Sequence, residues 1–211
     1  MKVTFENLTP NQRYHLITQT IIPRPIAWLL SENRDHSLNL APFSFFAPIC
    51  SDPVIFMVSI GRKTTEEGVV PKDTLLNLTE GRPCVVHIAN CHQLDMLNSS
   101  SSTLEYGQSE IEQYGIEVKQ VEGWPLPRIE NCPIAGVGKM SSVVSIGHQD
   151  QQVVFIELTE LFIDDHTVKA APTSENAERI TVDAKAVNPL ARLGAGDYAA
   201  LGDILSATRP K

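Results

Sequence analysis

The chain lacks most of the features that announce a function outright. No segment of its 211 residues approaches the ~18 consecutive apolar residues of a membrane-spanning helix. Met1–Pro10 has one lysine and no apolar stretch, so it does not read as a secretory leader. Cysteine is scarce, four in all with no C-x-x-C pair, which fits a reducing, cytoplasmic location. The N-x-S/T triplets at Asn7, Asn77 and Asn98 are then chance matches. Positive charge is in deficit: 17 Lys and Arg against 25 Asp and Glu leave a net charge of −8, which argues against nucleic acid or an anionic membrane as the main partner. No G-x-x-x-x-G-K-[ST] loop is present. Gly194–Ala199 matches G-x-G-x-x-A only superficially, because no strand precedes it and twelve residues follow.

What is there is enough chain for one domain, long enough to bury roughly 70% of its extended surface without staples. Thr9, Pro10 and Gln12 form a capping-box signature that opens a helix over residues 8–17. Pro23 and Pro25 stop it and start extended chain. Pro25–Ser31 reads as a strand, 32–37 as a polar turn, and Leu38 to about Phe46 as the return strand of a hairpin. After the turn at Ser51-Asp52-Pro53, Val54–Ile60 is apolar throughout and predicts a strand buried on both faces. Gly61–Pro71 reads as a polar loop, with Asp73 capping a helix over Thr74–Glu80 that Gly81 ends. Pro83–Ala89 is another strand. Leu94 and Leu97 sit at helical spacing, Ser99–Ser102 reads as a flexible loop, and Ile111–Gly115 as a turn of helix. Ala135–Ile146 and Gln152–Ile163 are two long strands joined by 147–150. Six or seven strands with few helices and short links predict a mainly β protein, an antiparallel barrel rather than a βαβ sheet.

Two stretches stand out. Asn39–Phe46 is mostly apolar and carries Pro42, which has no N–H for a ladder and so marks an edge or bulge. Nearby in the sequence, Ser59-Ile60-Gly61-Arg62-Lys63 and Lys72-Asp73-Thr74 gather three cations with hydroxyls and free amides. A flat apolar surface beside a small anion pocket is what a flavin mononucleotide requires: backbone and apolar atoms for the ring, cations and N–H donors for the phosphate. Taken separately, the same residues would make a core strand and a solvated loop, whose charge Glu66, Glu67 and Asp73 partly cancel. Cys84, His87, Cys91 and His92 lie within nine residues, but Cys84 and His87 fall on opposite faces of a strand and miss zinc spacing, so no metal site is expected. No cysteine has a base beside it.

Pro23–Trp28, Asn39–Phe46, Ser51–Pro53, Lys72–Thr74 and Ala191–Gly194, in this order and spacing, resemble the flavin reductase-like FMN-binding split-barrel family, which includes flavoredoxin-like proteins. The resemblance runs from about residue 15 to the end. It implies a split antiparallel β-barrel with a few short peripheral helices, one domain over residues 1–211. The tail from about residue 170 would pack on the barrel or on a partner subunit of a homodimer. It implies FMN, with Pro42, Phe43, Ser44 and Phe45 lining the ring and Ser59, Ile60 and Gly61 beside the ribityl chain. Arg62, Lys63, Lys72, Asp73 and Thr74 would surround the phosphate. Arg24, Arg192 and Tyr198 are further candidates, the last two closing over the cofactor of the other subunit. The implied activity is an oxidoreductase passing hydride or electrons through bound flavin, with NAD(P)H as donor. The alternative is an electron carrier or FMN-binding module without NAD(P)H turnover, working with a redox protein. Where many NAD(P)H-dependent members carry a His before a G-E-V strand, this chain has Gln151 and, for the Gly, Ile156.

Overall fold

The computed structural model describes residues 1–66, 68–148, 150–170, 180–208 and 210. Its centre is a seven-stranded sheet, antiparallel throughout. In spatial order the strands are Leu38–Phe43, Ala27–Glu32, Pro83–Ile88, Ile134–Ile146, Gln151–Ile163, Val54–Ile60 and Phe46–Ser51.

The two edge strands are consecutive in the chain, separated only by Ser44 and Phe45. Phe43 and Phe46 both enter the same buried cluster. Residues three apart on one continuous strand would face opposite ways. The chain therefore turns at Ser44-Phe45 and passes from one edge of the sheet to the other, where the Ser59 amide donates to the Phe45 carbonyl at 2.8 Å. This closes one end of a split barrel. It also corrects the expected return strand to Phe46, which ends instead at Phe43.

Period-two alternation sorts the core into two sides. Ala27, Leu29, Cys84, Val86, Val154 and Ile156 face the barrel interior, whereas Trp28, Leu30, Val85, Ala135 and Val137 face an outer layer built on Leu97, Ile111, Trp124 and Ile129. Each fully buried Leu or Val is worth roughly 1.5–3 kcal/mol. A one-residue slip would exchange the two sets, so the register of the 27–32 and 83–88 strands is strongly held.

Short helices frame the sheet. Pro10–Thr20 opens with the expected capping box, Thr9 and Gln12 each accepting from the other's backbone N–H. Asp73–Thr79 covers one side of the barrel, followed by Gly81 at φ +76°. Leu94–Ser99 and Glu110–Tyr114 pack on the outer layer.

Other expectations change. Residues 61–71 are not an open loop: Arg62–Thr65 and Gly68–Pro71 pair as a hairpin, favoured by β-branched Thr64, Thr65, Val69 and Val70. Val54–Ile60 is a strand at the expected bounds, but only Val58 and Ile60 are buried, because the 46–60 hairpin projects from the barrel and leaves Ile49 and Val54 exposed. In the tail, Ala191–Arg192 pairs between Arg24–Pro25 and Tyr198–Ala199 of the same chain. Glu67, Gln149, Pro172, Thr173 and Ser174 lie outside the described residues. Among the described residues no helix is long and apolar enough to cross a membrane.

Candidate functional site

The 62–71 hairpin carries Lys63 against the start of the 73–79 helix. Its Nζ lies 2.5 Å from Asp73 Oδ1, with side chains 10% and 7% exposed, and donates to the Leu104 carbonyl at 3.0 Å. Asp73 was expected to cap the helix. Lys72 takes the cap position, without a side-chain bond, and Asp73 sits in the first turn, where the helix dipole also favours a carboxylate. The competing demand is Lys63, a mostly buried cation that needs its counter-charge close by.

Lys72 is the other cation here. Its Nζ lies 5.4 Å from the centroid of the Phe43 ring, and it makes no ion pair among the described residues. Burial first, then the neighbouring Lys63 charge, push its pKa down, while Asp73 pulls it back up. Thr74 is fully buried in a polar ladder. Asn39 Nδ2 donates to Thr74 Oγ1 at 2.9 Å and to Ser31 Oγ at 3.1 Å, and Asn77 Nδ2 reaches Ser31 Oγ and Asn33 Oδ1.

These groups form one wall of a small cleft whose opposite wall is the 100–104 segment. The serine run is thus not a loose loop. Ser100 Oγ accepts from Trp28 Nε1 at 2.9 Å and donates to the Leu97 carbonyl at 2.9 Å, while Ser102 Oγ meets Tyr114 Oη at 2.8 Å. Glu110 closes the far side. Its Oε2 accepts from the Leu40 N–H at 2.9 Å, and burial raises its pKa. The 100–104 segment and Glu110 were missed from sequence. The one available signal was Trp28, a core indole whose N–H needs an acceptor.

A second compartment of about 160 Å³ opens beside the first, with Pro42 and Ser101 common to both. It is lined by Tyr14, Ile26, Leu97 and Tyr198, with Ser44, Ser101 and Arg192 as further polar residues. The Arg192 guanidinium stacks 4.4 Å from the Tyr198 ring centroid. Arg24 is buried behind this compartment: its Nε donates to Ser44 Oγ at 3.4 Å, and its other nitrogens donate to the Thr18, Ile21 and Leu193 carbonyls, fastening the tail to the end of the first helix.

The cleft therefore brings together Pro42, Ser44, Lys63, Lys72, Asp73 and Thr74. Phe43 lies beneath Lys72 from the barrel interior, and Phe45 packs near Tyr14, ring centroids 6.4 Å apart. Ser59, Ile60, Gly61 and Arg62 are not among its lining residues. Arg62 pairs with Asp150 at 3.2 Å near the surface, and Gln151 Nε2 donates to Ser59 Oγ at 3.0 Å. A Cβ on Gly61 would come 3.2 Å from Gln151 Oε1. Cys84 and His87 do point apart. Cys84 faces the barrel interior, whereas His87 is held from the other side, its Nδ1 3.0 Å from the Trp28 carbonyl and its Nε2 accepting from the Ile129 amide at 3.0 Å.

The fold is that of the split-barrel flavin reductases. Residues 19–176 match the family model described as flavin reductase like domain, and the chain belongs to that family. It superposes on the nitrilotriacetate monooxygenase component B of Bacillus cereus with a TM-score of 0.86, covering 98% of each chain at 24% identity. A TM-score of 0.84 relates it to the 2-nitrobenzoate 2-nitroreductase of Pseudomonas fluorescens, over 100% of this chain and 96% of the other at 27% identity. An uncharacterized protein of Halalkalibacterium halodurans is 28% identical over 210 residues, 100% of this chain and 97% of the relative.

Proposed function

We propose that this protein binds FMN in the cleft and works as an oxidoreductase that passes hydride or electrons through it. The observation that carries the reading is Lys72: a desolvated cation without a counter-charge among the described residues, in the wall of the first compartment beside Pro42, which both compartments share. A phosphate dianion supplies the missing charge, and the Ser102 and Thr74 hydroxyls line the same cleft. Pro42 and Ser44 would edge the ring in the aromatic compartment. Bound flavin supplies the redox chemistry, so no side-chain acid or base is required. The remaining proposed contacts, Ser59, Ile60, Gly61 and Arg62, would be reached by a ligand extending past the cleft along the sheet end.

The alternative reading is an electron carrier without NAD(P)H turnover. It is favoured by Gln151, whose amide is spent on Ser59 Oγ. A homodimer is proposed with either reading. The exposed apolar residues Ile49, Val54, Val144 and Ile146 would be covered by a second copy, which sedimentation of the purified protein would detect.

The test is an absorption spectrum of the protein as isolated, with the released cofactor identified, then steady-state NADH and NADPH oxidation with free flavin. A colourless preparation that takes up no FMN on titration removes the proposal. FMN binding without nicotinamide oxidation selects the carrier.

A further inference from the structure

A cavity of about 460 Å³ shares no lining residue with the proposed flavin cleft. On one side lies the two-stranded ribbon of Val118–Lys119 and Arg128–Ile129, on the other the end of the 151–163 strand. Arg128 lines it and is only 8% exposed. Its guanidinium stacks 3.9 Å from the centroid of the Phe162 ring, and its Nη1 donates to the Ile129 carbonyl at 3.0 Å. No other hydrogen bond and no ion pair of this side chain exists among the described residues, yet none of its nitrogens is both fully occluded and unpartnered. The remaining N–H groups therefore keep some accessible surface, and the residue lines the cavity. A cation this deeply buried is normally paired, because leaving it alone costs far more than one hydrogen bond returns.

A second observation is independent of the first. Arg128 and Lys119 are direct register partners across the ribbon, so both side chains project to the same face, and both line the cavity. Like charges directly opposite on an antiparallel pair repel. An anion between them turns that repulsion into attraction.

We propose that this cavity is a binding site for a small organic monocarboxylate, whose carboxylate takes the free fork of Arg128 with Lys119 as a second cation. The planar guanidinium matches a carboxylate in two parallel hydrogen bonds. Val121 and Ile163, with the rim of Phe162, supply an apolar wall for the body of the ligand. The acids at the rim, Glu122, Asp164 and Asp165, select for a single negative charge and against a phosphate dianion. The site stands on its own residues and does not depend on the flavin reading.

The experiment is calorimetric titration of the purified protein, with and without excess FMN, with sodium benzoate as the probe at fixed ionic strength. Saturable one-to-one binding is expected. Arg128→Lys keeps the charge but loses the fork and should weaken binding about tenfold. Lys119→Gln, at an exposed position, should weaken it severalfold and carries the test if Arg128→Lys does not fold. Lys72→Ala should leave it unchanged. No saturable heat, equal binding in the wild type and Lys119→Gln, or loss of binding in Lys72→Ala overturns the proposal. Tighter binding of inorganic phosphate than of benzoate overturns the choice of a monocarboxylate.

Discussion

Lys63 and Asp73 form a buried charge pair, Nζ to Oδ1 2.5 Å, next in sequence to Lys72, a cation that has no such partner among the described residues. The two lysines of the cleft are thus not equivalent. Lys63 is neutralised by Asp73 and tied to the Leu104 carbonyl, while Lys72 makes no ion pair among the described residues and has its pKa pushed down, first by burial.

Lys72→Ala should lower FMN affinity by about 1.5–3 kcal/mol, the scale of one charge-assisted bond. Folding stability should hardly fall. Arg62→Ala should cost less than about 1 kcal/mol, because Arg62 is 36% exposed and its pairing with Asp150 is a surface one. Flavin fluorescence titration of the two variants checks this. Equal losses would show that both cations grip the phosphate.

Asp73→Ala strands Lys63 without a counter-charge in a mostly buried position. Removing one partner of a buried pair costs about 3–5 kcal/mol, so urea unfolding of the apoprotein should show a loss near that size. A change below 1 kcal/mol, on the scale of an exposed pair, would mean that solvent reaches the site.

Ser100→Ala removes the acceptor of the Trp28 indole. The buried N–H is then unsatisfied, at a cost of about 1–3 kcal/mol. Both denaturation and a shift of tryptophan emission report it. Ser100→Thr, which keeps the hydroxyl, should recover part of the loss.

His87 makes stability depend on pH. Burial, assisted by the Arg128 charge and opposed by the Trp28 carbonyl, lowers its pKa from 6.5 to about 4. The folded state then binds fewer protons than the unfolded chain between these values, so stability rises with pH across that window and is lost as pH falls from 6.5 towards 4. The integrated effect is about 3 kcal/mol. Glu110, raised by burial, acts in the opposite sense. Chemical denaturation at several pH values should show the slope, and His87→Gln should flatten it. An unchanged slope in the variant would place the titration elsewhere.

The strands were legible because their signals are local. Alternating or continuous apolar runs bounded by proline, glycine and aspartate marked 54–60, 83–88 and the long hairpin of 134–163 to within a residue or two. The capping box at Thr9 was equally local. The cleft was half legible. Lys63, Lys72, Asp73 and Thr74 are close in sequence and were grouped for that reason. The 100–104 wall and Glu110 join them only through long-range packing, and four serines in a row carry no pattern that distinguishes a wall from a loop.

Residue order by itself determined the period-two strands, the capping box at Thr9 and the supply of cations, because each depends on neighbours within a few positions. Only the tertiary structure decided which lysine is paired and which has no ion-pair partner among the described residues, how Ser44-Phe45 carries the chain between the two sheet edges, and that Arg128 faces Lys119. Those outcomes depend on distances between segments far apart in the chain, set by how side chains of fixed volume fill a closed barrel.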